Sequence, residues 1–121
     1  MAQALDWYEI PTLDLDRAIR FYGTVLDVRF TRELFGGVPM AMFPHEDKST
    51  GGALIQDGRR KPSAEGALLY LNTHGHLDAC VARVAKAGGT VLAAKVDIGD
   101  PGFIALIRDT EGNTIGLHQE R

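Results

Sequence analysis

The sequence has a single cysteine, no long apolar run and no excess of basic charge, and each of these features excludes a class of protein. Cys80 cannot form an internal disulfide, which favours a reducing, cytoplasmic environment. The longest purely apolar runs extend only from Ala67 to Leu71 and from Phe103 to Ile107, far short of the roughly 20 residues that cross a membrane. The net charge is -3 and no basic stripe is present, so the electrostatic footprint of a nucleic-acid binder is missing. We therefore expect neither a membrane nor a nucleic acid as a partner.

The spacing of apolar residues predicts the same order of elements in each half of the chain. In the first half, a short aromatic and β-branched segment over 7–11 predicts a strand, and apolar residues at helical spacing predict a helix from Leu15 to Leu26 that starts at Asp14 or Asp16. Three further strands are predicted over 29–35, 38–43 and 50–56, the first two joined by a tight turn at Gly36-Gly37.

The second half repeats this order. His74-Gly75-His76 is expected to form a turn that caps the following helix, which begins at Leu77 and ends at the glycine pair 88–89. The predicted strands of this half lie over 67–72, 90–98, 103–108 and 114–118.

A shift of 62 residues lays the second half on the first. Tyr8 then meets Tyr70, and Leu15 meets Leu77. The repeated order favours a duplicated unit within one α+β domain over 1–121. Module one covers about 5–56, a connector 57–65, and module two about 66–119. An α+β sandwich without internal symmetry is the alternative, and it ranks second because the connector falls near the midpoint.

Two segments carry a resemblance to a known family. The segment from Leu13 to Tyr22 resembles the opening pattern of the vicinal oxygen chelate superfamily, which includes glyoxalases, bleomycin-resistance proteins and extradiol dioxygenases. The segment from Arg108 to Asn113 resembles the ending of the same superfamily, with Thr110 in place of the common proline. The resemblance implies two tandem βαβββ modules whose curved mixed sheets surround a central cleft, with the helices outside.

The resemblance also implies where a metal ion would bind. Metal-dependent members use donors from the first and last strands of each module, and the alignment with the 62-residue shift puts these positions at Trp7, Leu54, Leu69 and Gly116. None of these side chains donates to a metal. We therefore expect no metal cofactor. Relocated ligands for a divalent ion such as Zn, Ni, Mn or Fe are the alternative.

Strand alternation suggests which side chains line the cleft. Trp7 and Glu9 share a face, and Glu9 is the candidate catalytic residue because a carboxylate in a cleft can act as a general base. The alternative is a structural Glu9 that is exposed or paired with Arg29 or Arg108. The residues expected to bind the ligand are Trp7, Met40, Met42, Leu54, Gln56, Leu69, Leu71, Gly116 and His118.

The resemblance favours the bleomycin-resistance branch, whose members sequester small molecules and are typically dimers. We therefore predict a homodimer that binds a small, flat, partly apolar organic ligand in a metal-free cleft. The alternative is a lyase, isomerase or dioxygenase of the same superfamily that uses either a metal or Glu9.

Overall fold

The structure is a computed structural model that describes residues 4–121, and it contains the predicted elements in the predicted order. Each module runs strand, helix, strand, strand, strand, which confirms the α+β fold of two tandem βαβββ modules. The elements are β1 (Trp7–Pro11), α1 (Leu15–Leu26), β2 (Thr31–Phe35), β3 (Val38–Met42), β4 (Gly51–Ile55), β5 (Tyr70–Asn72), α2 (Leu77–Val84), β6 (Thr90–Asp97), β7 (Phe103–Arg108) and β8 (Thr114–Gln119).

Each module forms its own mixed four-stranded sheet. The strand orders are β1-β4-β3-β2 and β5-β8-β7-β6. The first and last strands of each module are neighbours and run parallel, whereas the other pairs are antiparallel. Gly36 and Gly37 have φ values of 56° and 81°, as the predicted two-residue hairpin requires. The pairing places the first and last strands of each module side by side.

The two helices begin in different ways. Asp14 caps α1 by accepting a hydrogen bond from Arg17 N at 3.1 Å. His76 is the N-cap residue of α2, as expected for this segment, but its side chain makes no capping hydrogen bond. His74 and Gly75, at φ 50° and 84°, do form the predicted turn.

In each module, a glutamine and a threonine connect the start of the helix to the end of the last strand. The Gln56 side-chain oxygen accepts from Leu15 N at 2.8 Å, and the Gln119 oxygen accepts from Leu77 N at 3.0 Å. Likewise, the hydroxyls of Thr12 and Thr73 donate to the last strand of their own module. These matched contacts show the duplication directly. The 62-residue shift fits the helices, but the offset is one residue shorter in the first strands and one residue longer in the last.

One hydrophobic core joins the modules, and α1 packs against α2 within it. The Arg83 guanidinium donates to Val25 O at 2.8 Å and so links the end of α1 to α2. Cys80 of α2 is buried in this core.

The β7–β8 hairpin forms the other link between the modules. Glu111 is buried and accepts hydrogen bonds from Leu13 N at 2.8 Å, Asp14 N at 2.9 Å and Arg17 Nε at 2.7 Å. The Tyr22 hydroxyl donates to Asp109 Oδ2 at 2.5 Å. Each of these buried polar groups has a partner, as the interior of a stable fold requires.

Candidate functional site

Each sheet packs one face on the helices and leaves the other free, and we call the free side the open face. In module one, Ile10 and its strand partner Leu54 are buried against the helices. Trp7 and Glu9 alternate with Ile10 and therefore lie on the open face. Side chains that are partners across neighbouring strands form a row on one face of the sheet. Ala53 and Met42 lie in the same row as Glu9, and Met40 lies in the next row on that face.

Module two repeats this arrangement. Leu71 and its partner Leu117 are buried in the core, so Tyr70 and Gly116 lie on the open face. The next row holds His118. Of the residues predicted from the sequence, Trp7, Glu9, Met40, Met42, Gly116 and His118 are thus on open faces.

Three predicted lining residues face the wrong way. Leu54 is fully buried, Leu71 is 7% exposed, and Leu69 packs against the same core. The reason is the uneven offset between modules, because a slip of one residue in a strand moves a side chain to the opposite face. Gln56 is also used elsewhere, since its side-chain oxygen caps α1.

An aromatic ring lies over a glycine on each open face. A Cβ added at Gly51 would come within 2.9 Å of the Trp7 ring, and one added at Gly116 within 2.3 Å of the Tyr70 ring. Each aromatic residue and its glycine are partners across the parallel strand pair. The missing side chain is what lets the ring lie on the sheet. The two open faces therefore each present an aromatic surface next to the first and last strands.

The same geometry revises the four positions that the sequence resemblance implied for metal donors. The strand partner of Gly116 is Tyr70, and the corresponding residues of module one are Ala53 and Glu9. Of these four, only the Glu9 carboxylate is a common metal donor. Within residues 4–121, no three His, Cys, Asp or Glu side chains are grouped so that they could hold a metal ion. The donor set of one chain therefore does not fit a divalent cation.

Glu9 itself is exposed in the single chain. Its carboxylate accepts a hydrogen bond from Trp7 Nε1 at 3.3 Å, and no described contact joins it to Arg29 or Arg108. None of the residues from 4 to 121 encloses Glu9, which is exposed. A role as general base would therefore require a second surface to cover it.

His118 has a structural contact. Its Nε2 lies 2.6 Å from the carbonyl oxygen of Pro101, and because that oxygen can only accept, Nε2 carries the proton. The ring thus ties β8 to the loop between β6 and β7, while the residue remains half-buried on the open face.

A cavity in the described part of the chain is lined by neither Trp7 nor Tyr70. It is a broad groove of about 950 Å³ between the modules, with Tyr8 and Phe43 among its walls and Asp27, Glu46 and Arg83 among its polar residues. These polar groups carry both signs of charge, and none of them holds a buried atom without a partner. The groove therefore does not specify a ligand.

Three open-face residues were not predicted from the sequence as lining residues. Arg108 and Thr114 are strand partners that alternate with the buried Ile107 and Ile115, so both lie on the open face of module two. The signal was available, because Arg108 is the one charged residue of an otherwise apolar strand. Tyr70 was also missed as a lining residue, since the shift placed Leu69 there instead.

Comparison with known proteins identifies the family. The chain matches the model of the Glyoxalase/Bleomycin resistance protein/Dioxygenase superfamily over residues 4–117, and it therefore belongs to that superfamily. No curated protein matches it. Within the described residues, neither helix has the length and apolar character needed to traverse a bilayer.

Solved structures with the same fold are numerous. The chain is similar to a glyoxylase/bleomycin resistance protein/dioxygenase domain from Frankia sp. EAN1pec, with 20% identity, a TM-score of 0.71, and coverage of 100% of this chain and 98% of that one. A glyoxalase family protein from Bacillus cereus has 22% identity, a TM-score of 0.71, and coverage of 99% and 95%. The fosfomycin resistance protein FosX from Listeria monocytogenes has 11% identity, a TM-score of 0.73, and coverage of 100% and 94%. At these identities the similarity shows the fold alone.

Proposed function

We propose that this protein binds a small, flat, partly apolar organic ligand on its open faces without a metal ion. The observation that supports this most is the aromatic ring over a glycine in each module, at Trp7–Gly51 and Tyr70–Gly116. The Tyr70 ring lies across the position where metal-dependent relatives carry a donor. A planar ligand stacks well on such rings, and the adaptable thioether of Met42 lies one row along the sheet from Trp7 and Gly51.

The binding cleft is completed by a second copy of the chain. Trp7 and Tyr70 are 39% and 47% exposed, and Leu92 and Val96 on β6 are 45% and 42% exposed. Exposed large apolar side chains on both open faces favour an interaction surface there. A homodimer would cover both faces and enclose the ligand between them, as expected from the superfamily.

The single tryptophan provides a direct assay. Trp7 is the only tryptophan in the chain and lies on the open face. The compound 4-nitrobenzamide is small, flat and uncharged, and nitroaromatic compounds quench indole fluorescence on contact. We expect saturable quenching of Trp7, and we expect Tyr70→Ala to weaken the affinity because it removes a stacking surface. Strictly linear quenching, like that of free N-acetyltryptophanamide, would contradict the proposal.

Leu13→Ala is the matched control for Tyr70→Ala. Leu13 is 64% exposed, so its truncation removes apolar surface of the same kind, but it lies in the loop before α1. We expect this variant to bind 4-nitrobenzamide like the wild type. An equal loss in both variants would indicate a general effect on the fold instead of an effect on the cleft.

An enzyme that uses Glu9 as its base is the second candidate, favoured by the position of this carboxylate on the open face beside Trp7. Glu9→Gln keeps the size and the acceptor for Trp7 but removes the base. A binding protein keeps most of its affinity in this variant. Turnover of a ligand by the wild type that is abolished in Glu9→Gln would favour the enzyme.

A further inference from the structure

We propose that Arg108 and Thr114 form an anion-binding subsite on the open face of module two, and that the natural ligand carries a carboxylate. This inference rests on the proposed function, because it adds the charge of the ligand to its shape. Neither residue was predicted from the sequence to bind the ligand, and neither occupies a position that the resemblance implied for a metal donor.

The two side chains are neighbours by strand register. Arg108 on β7 is paired directly with Thr114 on β8, and side chains on such antiparallel partners lie about 4.5–5.5 Å apart at their Cβ atoms. The next pair along the same two strands and on the same face is Leu106 with Gly116, over which the Tyr70 ring lies. A planar ligand stacked on Tyr70 would therefore extend one end toward Arg108 and Thr114.

Both side chains hold a polar atom that has no partner. Arg108 Nε and Thr114 Oγ1 are buried from solvent and make no hydrogen bond, and they are the only side-chain atoms of this kind within residues 4–121. Buried polar groups without partners are rare because they lose their hydration without replacement. The two atoms belong to residues that are strand partners on one face. We infer that a ligand supplies the acceptor that both of them lack.

The chemistry of the pair favours an anion. A guanidinium has five N–H donors and no acceptor, and the threonine hydroxyl has one donor. A carboxylate can accept from the guanidinium with both oxygens, and such bonds are stronger than those to a neutral carbonyl. The partners of Arg108 in the rows across the sheet are Thr90 and Thr114, so no carboxylate of module two pairs with it there. Since Arg108 is only half-buried, its guanidinium can turn toward an incoming anion.

The test compares two ligands that differ only in charge. The Kd of 4-nitrobenzoate and of 4-nitrobenzamide is measured by Trp7 quenching for the wild type, Arg108→Met and Thr114→Val. Both substitutions keep the approximate shape of the side chain and remove its donors. In Arg108→Met we expect the Kd of 4-nitrobenzoate to rise by about tenfold or more, because a charge-assisted hydrogen bond is lost. The Kd of 4-nitrobenzamide should change by less than about twofold. Thr114→Val should show the same selectivity with a smaller loss.

Two controls separate this inference from the proposed function. Binding of 4-nitrobenzamide by each variant shows that the variant is folded, and Arg59→Met removes an arginine of the connector that is paired with Asp57. If both compounds bind the wild type and Arg108→Met equally well, the subsite is refuted and the cleft remains. If neither compound binds the wild type, both are refuted.

A carboxylate from a second copy of the chain is the competing acceptor. Glu9 lies on the open face of module one, which a dimer would bring against module two. If Glu9 filled the subsite, 4-nitrobenzoate would bind Glu9→Gln and not the wild type, which would overturn the proposal. If the ligand fills it, 4-nitrobenzoate binds the wild type, loses affinity in Arg108→Met and Thr114→Val, and keeps its affinity in Glu9→Gln.

Discussion

Glu111 shows how one buried carboxylate can hold two modules together. Burial by itself would raise its pKa, but hydrogen bonds from Arg17, from the Asp14 and Leu13 amides and from Thr110 outweigh that effect and lower it from 4.5 to about 2. The carboxylate side chain is fully buried, whereas Arg17 is 43% exposed. The charged form of Glu111 is therefore favoured in the folded state over the unfolded state.

This shift predicts a pH-dependent contribution to stability. Because the folded pKa is the lower one, the stabilisation is fully present above pH 4.5 and is lost as the pH falls from 4.5 toward about 2. We expect Glu111→Gln to lower the free energy of unfolding by on the order of 3 kcal/mol at pH 7, and the gap to the wild type to narrow below pH 4.5. Urea denaturation at a series of pH values measures this. A gap that stays constant down to pH 2.5 would contradict the account, and Glu33→Gln, at an exposed site, is the control.

At the scale of elements, each helix depends on a glutamine at the end of its module's last strand, Gln56 directly after β4 and Gln119 as the final residue of β8. Gln56 accepts from Leu15 N and Gln119 from Leu77 N. Loss of a side-chain acceptor at a helix start typically costs about 1 kcal/mol. In Gln56→Ala we expect faster hydrogen exchange of the Leu15 amide with little change at Leu77, and the converse in Gln119→Ala. Equal changes at both amides in either variant would show that these contacts do not act within one module.

The elements could be predicted from the sequence far better than their faces. α1 was predicted with its observed bounds because a 12-residue amphipathic pattern has many members that must agree. Leu69 was predicted on the wrong face because the offset between the modules differs by one residue between the first strands and the helices. In a strand, a shift of one residue moves a side chain to the opposite face. The partnerless atoms of Arg108 and Thr114 could not be predicted at all, since they depend on which groups the fold leaves nearby.

At the scale of the whole molecule, the exposed open faces predict a dimer. We expect a solution mass of twice 13.2 kDa by light scattering. Val96, which pairs with Ile104 on the open face of module two, is 42% exposed, so Val96→Lys should place a charge in the interface and shift the protein toward the monomer. Leu13→Lys, at a residue 64% exposed off that face, should leave the mass unchanged. A wild type that is monomeric at all micromolar concentrations would contradict this expectation.

The proposed function and the anion subsite both depend on one claim: the ligand binds to the aromatic surfaces of the open faces and needs no metal ion. It is tested most directly by titrating the wild type, purified without chelator and then treated with EDTA and desalted, with 4-nitrobenzamide under Trp7 fluorescence. The account predicts saturable quenching with the same Kd before and after the treatment and after addition of one equivalent of Zn²⁺. Binding that disappears with EDTA and returns with Zn²⁺, Ni²⁺, Mn²⁺ or Fe²⁺ would contradict it.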